Sequence, residues 1–206
     1  MLKLWGRISS VNVQKVVFCL DEIGLEYERL DAGGEFGVVK TPEYMAMNPN
    51  SLVPVLEDDG AVLWESNSIV RYLCAKHSAG NLWPNDQVAR AKADMWADWQ
   101  LSSFTPATRD AFWGLIRTPP EKRDHAVIAT SCTNSEARMD ILEKHLAKHA
   151  FVGGDHFTFG DIIVGPAVHR WLNMPVERAE RPHIQRWYEA IIARPSSKRG
   201  LFLPVA

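Results

Sequence analysis

Apolar positions along this chain follow two patterns, and the change comes near residue 80. In the first part, Leu2-Lys3-Leu4-Trp5-Gly6 is a short apolar-rich run suited to a strand. Residues 12–23 then place Val13, Val16, Val17, Leu20 and Ile23 at helical spacings, and Gly24 supplies a stop. Residues 27–31 read as a second strand, which completes a βαβ unit with a right-handed crossover. Gly33-Gly34 marks a loop, and Pro42–Met47 predicts a short helix ended by Asn48-Pro49-Asn50. Residues 54–58 and 61–64 flank Asp59-Gly60, a two-residue hairpin signal. Ser66–His77 is helical again, with Ile69, Val70, Leu73 and Cys74 on one apolar side. The order βαβ, α, ββ, α predicts an α+β unit with a small mixed four-stranded sheet, not a doubly wound one.

From about Asn81 the character changes to helix joined to helix. Leu82-Trp83-Pro84-Asn85 reads as the end of a linker. Residues 87–117 predict one long helix or a bent pair, and 121–149, 161–171 and 182–194 predict three more. Short loops between helices describe an all-α bundle. The expected domains are therefore residues 1–79 and 86–206. The chain contains no internal repeat and no low-complexity tract.

A formal net charge of -2, with basic residues scattered, gives no electrostatic reason to expect nucleic acid or an anionic membrane as partner. Ser9, Ser10, Asn12, Gln14 and Lys15 interrupt any apolar run in the first twenty residues, so neither a signal peptide nor a membrane span is expected. Cys19, Cys74 and Cys132 are far apart and odd in number, which suggests no disulfide framework and fits the cytoplasm. His145 and His149 stand at i, i+4 but have no acidic or cysteine partner beside them, so no metal is expected.

Candidate chemistry gathers at three places. In Leu52-Val53-Pro54-Val55-Leu56 a proline opens a strand, which suits an edge position or a cis bond. Its place after the βαβ unit and before the hairpin resembles the thioredoxin fold, where a cis-proline leaves the preceding N–H and C=O free to pair with an extended peptide. The first βα loop, Arg7-Ile8-Ser9-Ser10-Val11-Asn12, holds no cysteine, so any thiol chemistry there must use a thiol brought in by a ligand. Its hydroxyls and amide stand directly before a helix, whose free N–H groups and partial positive charge favour a thiolate. Ser10 and Asn12 can equally act as plain helix caps. Third, Glu65-Ser66 opens the helix after the hairpin. There Ser66 can cap, or the pair can hold a carboxylate and an α-amino group together.

Taken together, Val53-Pro54, Glu65-Ser66, the break near residue 80 and the helical second half resemble the cytosolic glutathione transferase family of bacterial type, over nearly the whole chain. The resemblance implies a thioredoxin-like N-terminal domain that binds glutathione as co-substrate. It gives Val53, beside Pro54, the cysteinyl backbone, and gives Glu65 and Ser66 the γ-glutamyl end. Ser10 takes the place of the activating serine. Ser10-Val11-Asn12 also looks like the Thr-x-Asn of Nu-class enzymes, and Ser9 rivals Ser10 in a zeta-like alignment. Lys40 is the candidate for the glycyl carboxylate. Phe112 and Trp113 are candidates for a pocket that takes a small hydrophobic electrophile, although aromatics at helical spacing also serve as core. Thr158 and Asp161 look like the family's capping box, with Phe157 stapled against Ile162.

The implied reaction is attack of a stabilised glutathione thiolate on the electrophile, in a homodimer. The alternatives are glutathione-dependent disulfide or peroxide reduction of Nu-like type, and a non-catalytic binding module that kept the fold.

Overall fold

Alternating burial sets the face of the first strand. In β1 (Leu2–Trp5), Leu2 and Leu4 point into the core while Lys3 and Trp5 are half-buried. A computed structural model, which describes residues 1–201 and Val205, pairs β1 in parallel with β2 (Tyr27–Leu30). β1 also pairs antiparallel with β3 (Val55–Asp58), which pairs with β4 (Ala61–Trp64). The sheet order is β2-β1-β3-β4, the mixed four-stranded sheet expected. Its two inner strands hold the fully buried Leu4, Val55 and Leu56, and its outer strands are more exposed. Asp59 and Gly60 both take positive φ, as the tight hairpin requires.

α1 (Val11–Ile23) is buried continuously from Val13 to Leu20 because α3 (Ser66–His77) and α7 (Phe159–Leu172) both pack on it. α2 (Pro42–Met47) packs on the other face of the sheet, where Tyr44 meets Trp5 edge-on and clusters with Val55. Residues 87–117 form an unbroken succession of α-helical and π-helical stretches rather than one regular α-helix. α4 (Gln87–Trp99) passes through a π-helical turn at Gln100–Phe104 into α5 (Thr105–Phe112), and a second π turn closes at Arg117. Pro106 lacks the N–H that would continue the α-helical ladder, which places the looser turn just before it.

The helix expected over 121–149 starts later and ends earlier, as α6 (His125–Leu146). Pro119 and Pro120 lead into a short 3₁₀ turn, and Asp124 then caps the N–H groups of Ala126 and Val127. α8 (Pro182–Ile192) stops two residues before the expected end. Beyond it a 3₁₀ turn at Pro195–Ser197 and a short α9 (Lys198–Leu201), neither expected from the sequence, pack back on α1.

α7 joins the two halves. It packs on α1, α3, α4 and α8, and one continuous apolar core runs from Leu2 to Leu201 across both halves. At its N-terminus the expected Asp161 contact is made and extended. The fully buried carboxylate accepts from Thr158 N–H at 2.9 Å and Thr158 Oγ1 at 3.3 Å, and also from Val152 N–H at 2.9 Å and Trp187 Nε1 at 2.8 Å. Phe157 lies in the same core as Ile162, tilted against Phe18. Cys19 and Cys74 are buried with their sulfurs 3.5 Å apart.

Candidate functional site

The Val53-Pro54 bond is cis. Two side chains from α2 and its end fix the loop that leads into it: Tyr44 Oη and Asn48 Nδ2 each donate to the Leu52 carbonyl at 2.9 Å. Neither the N–H nor the C=O of Val53 bonds within the chain among the described residues, so both remain available to an extended ligand. The first βα loop passes directly alongside. A Cβ on Gly6 would lie 3.3 Å from Val53 Cβ and 2.4 Å from a Val13 methyl, and its φ is +152°, so glycine is required there on both counts. On the other side Gly33 approaches Val53 Cγ1 and Arg7 Nη1, at 3.2 and 3.1 Å from where its Cβ would be.

Ser10 stands at the N-cap position of α1, with φ -79° and ψ 123°, yet its hydroxyl makes no capping bond. Asn12 is the second helical residue and exposed, and its amide bonds to nothing among the described residues. The plain capping reading of this pair is therefore corrected: the backbone of Ser10 enters the helix while its side chain stays uncommitted. Half-buried Ser9 is likewise without a side-chain bond. With no acidic residue in the first turn, nothing on α1 offsets its positive end.

The opening of α3 also differs from the capping reading. Glu65, not Ser66, occupies the N-cap position, and its side chain makes no capping bond. Glu65 takes φ +70°, a strained value for a residue with a Cβ, which persists only when surrounding structure holds it. Ser66 is the first helical residue and only 5% exposed, so its hydroxyl lies recessed beside the free N–H groups of the first turn.

Lys40 is exposed just before Thr41, the residue that caps α2, and no hydrogen bond or ion pair ties it to the rest of the groove. Phe112 is almost buried at the end of α5, whereas Trp113 is 55% exposed, and the two rings meet edge-on at 6.4 Å. The guanidinium of Arg170 covers the Phe112 ring at 4.2 Å, and that of Arg117 lies 5.7 Å from the same ring.

Several polar residues here were not foreseen. Lys15 is 1% exposed, and its ammonium donates to Asn67 Oδ1 at 2.9 Å and Gln100 Oε1 at 2.8 Å. Asn67 in turn donates to the Ala97 carbonyl at 3.0 Å, so one polar knot joins α1, α3 and the helical half. Burial first, and repulsion by Arg170 second, push the Lys15 pKa down to about 7, with Glu65 pulling the other way. A signal was present: Lys15 stands beside Gln14 at the head of a stretch that runs on through Val16, Val17, Phe18, Cys19 and Leu20, and a lysine buried there must be paired or neutral. Arg7, Arg117 and Arg170, from three separate segments, are the other omission. A hollow of about 540 Å³ lined by residues such as Met139, Leu172, Arg181 and Tyr188 belongs to the helical half alone and shares no residue with this groove.

Comparison with known proteins agrees with the geometry. The glutathione S-transferase N-terminal domain model matches residues 1–75, and the C-terminal domain model matches residues 127–190. Glutathione S-transferase GstB of Escherichia coli strain K12 is 42% identical over 208 residues, covering 100% of both chains. The chain is a member of the glutathione S-transferase family. This transferase is also 32% identical to glutathione S-transferase 3 of Zea mays, over 96% of its own length and 92% of the maize protein. Among solved structures, a theta class glutathione S-transferase from Xanthomonas axonopodis pv. citri, with glutathione bound, superposes with a TM-score of 0.96 at 42% identity, covering 100% and 99% of the two chains. The thioredoxin-like first domain, the helical second domain and the transferase class are thereby established for this chain. No described helix is long and apolar enough to cross a membrane.

Proposed function

We propose that this transferase binds glutathione along the edge between its first βα loop and the cis-Pro54 loop, and transfers its thiolate to small hydrophobic electrophiles. The cysteinyl backbone pairs with Val53, the γ-glutamyl carboxylate sits on Ser66 and the N-terminus of α3, and Glu65 takes the α-amino group. Lys40 serves the glycyl carboxylate. The residues present fit a tripeptide of this charge pattern: Val53 keeps its backbone groups free, and Ser66 lies recessed beside an acidic neighbour.

The observation that carries the reading is the uncommitted Ser10 hydroxyl at the unopposed positive end of α1. A free thiol titrates near 8.5, so little of it is ionised at neutral pH. A hydroxyl donor, the Asn12 amide and the helix end all favour the thiolate, and one charge-assisted hydrogen bond is enough to lower the pKa by about a unit. Ser10→Ala is expected to lower kcat/KM for an aryl halide about 10- to 100-fold and to raise the pKa of the bound thiol, read from thiolate absorbance. Asn12→Ala should have a smaller effect in the same direction, and Ser9→Ala little. Unchanged rates in both Ser10→Ala and Asn12→Ala would remove this pair from thiol activation.

A second reading, glutathione-dependent disulfide or peroxide reduction, draws support from Asn12, whose amide is also unengaged beside Ser10. A small mixed disulfide assayed beside the aryl halide separates the two by which substrate loses more in Asn12→Ala. We place the chain in the cytoplasm as a detoxifying homodimer. Val62 and Trp64 on the outer strand and Met95 on α4 are exposed apolar residues that a second copy would cover. Light scattering at micromolar concentration tests this, with a monomer as the contrary result.

A further inference from the structure

Three cations from distant parts of the chain meet where the first βα loop faces the helical domain. Arg7 follows β1, Arg117 closes the π turn after α5, and Arg170 lies in the last turn of α7. Arg170 and Arg117 share the Phe112 ring as a common platform. Arg7 runs over Gly34, within 3.2 Å of that residue's absent Cβ, and reaches Gly33 beside Val53. Arg117 and Arg7 are close enough to repel Arg170, and Arg117 repels Arg7 in turn.

The three are gathered together with no carboxylate in contact with any of them among the described residues. Arg71, Arg181, Arg194 and Arg199 each hold an acidic side chain. Among the described residues Arg7, Arg117 and Arg170 make no ion pair and no side-chain hydrogen bond, and Glu35 is the single acidic group that acts on Arg7. Like charges held together in a half-buried place oppose folding, and their repulsion is relieved when an anion enters. Two of them, Arg117 and Arg170, belong to the helical half, and Arg7 belongs to the loop that carries Ser10.

We infer that the second substrate of this transferase is an electrophile bearing a carboxylate, which the Arg7, Arg117 and Arg170 cluster holds while its flat or apolar body lies against Phe112 and Trp113. The inference rests on the thiol-transfer reading above and specifies its acceptor. The guanidinium fork suits a carboxylate because two parallel N–H···O bonds can form, and stacking on Phe112 limits how far the fork can turn. For an aryl chloride acceptor the glutathione sulfur forms a bond to the chlorine-bearing carbon. The carbon–chlorine bond breaks, chloride departs with the electron pair, and the thiol proton passes to solvent. The arginines are unchanged by the reaction.

The test compares a chloronitrobenzoate with the matching chloronitrobenzamide, which differ in the charge of one substituent. Each is assayed at saturating glutathione, and each enzymatic rate is divided by the uncatalysed rate of that compound. The wild-type protein is expected to favour the benzoate by about tenfold or more, the scale of one charge-assisted hydrogen bond in a partly buried place. Raising the salt should shrink that preference. Arg117→Gln is the principal variant, because Arg117 is exposed and its loss leaves the core intact. It should reduce kcat/KM for the benzoate about tenfold while changing the benzamide less than about twofold, with KM for glutathione unmoved. Arg7→Gln and Arg170→Gln should act in the same sense.

Equal turnover of the two compounds by wild type would overturn the inference. So would parallel losses on both in the variants, or a raised KM for glutathione, which would assign the arginines to glutathione itself. If neither compound is turned over, the thiol-transfer reading fails and the inference falls with it. Turnover of the benzamide with no preference for the benzoate sinks the inference alone.

Discussion

Asp161→Ala destabilises the protein by roughly 4 kcal/mol and lowers Tm by about 10 °C, more than any other single polar substitution considered for this chain. The carboxylate is fully buried and binds donors from three places: the Val152 and Thr158 backbone, the Thr158 hydroxyl, and the Trp187 indole. Burial pushes its pKa up to about 6 although all of these donors favour the charged form, so it is ionised at neutral pH. Alanine leaves two backbone N–H groups and one indole N–H buried without an acceptor, and each such group costs about 1–3 kcal/mol. The result extends beyond the cap, because α7 begins there and α7 is the helix on which α1, α3, α4 and α8 converge. Trp187→Phe keeps the acceptor but removes one donor and part of a fully buried ring, so its effect should be about half as large, near 2 kcal/mol. Urea unfolding of both variants checks the ratio. A loss below about 1 kcal/mol in Asp161→Ala would show that the carboxylate is not what anchors α7.

The sequence made the sheet legible because its signals are local. Asp59-Gly60 can close only one kind of turn, and alternation in Leu2-Lys3-Leu4-Trp5 shows a single buried face. Val53-Pro54 and Glu65-Ser66 could be located for the same reason, since each stands at the boundary of a recognisable element. The helical half was harder. Periodicity continues through a π turn and a 3₁₀ turn almost unchanged, so neither the π turn before Pro106 nor the start of α6 at His125 was visible. The residues missed altogether are those whose meaning depends on tertiary neighbours. Arg7, Arg117 and Arg170 are more than fifty residues apart in sequence, and nothing in their local surroundings says that they meet. Ser10 shows the opposite limit. Its residue type and position indicate a cap, and only coordinates show that its hydroxyl is left free.

Lys15 carries the second large prediction, and its sign depends on pH. In the unfolded chain this lysine titrates near 10.5, whereas in the fold its pKa is about 7. Between those values the unfolded state holds a proton that the folded state has released, so stability rises as pH climbs through the window. At about 1.4 kcal/mol per unit, this single group adds up to roughly 4 kcal/mol between pH 7 and 10.5, and adds nothing further above it. Below pH 7 the ammonium is charged in both states and the folded protein bears the full burden of burying it. Glu65 offsets part of that burden and Arg170 adds to it.

Methionine has a similar length and no charge, so Lys15→Met should flatten the rise. The variant is expected to equal or exceed wild-type stability near pH 6.5, where a buried charge is removed. Near pH 10 it should fall below wild type, because Asn67 and Gln100 lose the amine that donates to both of them. Groups common to the two proteins cancel in the difference between their urea midpoints, so the crossing of the two curves reports Lys15 itself. Parallel curves across that range would mean that the ammonium is as well solvated in the fold as outside it. The polar knot between α1, α3 and the helical domain would then contain a water path that the packing of Lys15, at 1% exposure, gives no room for.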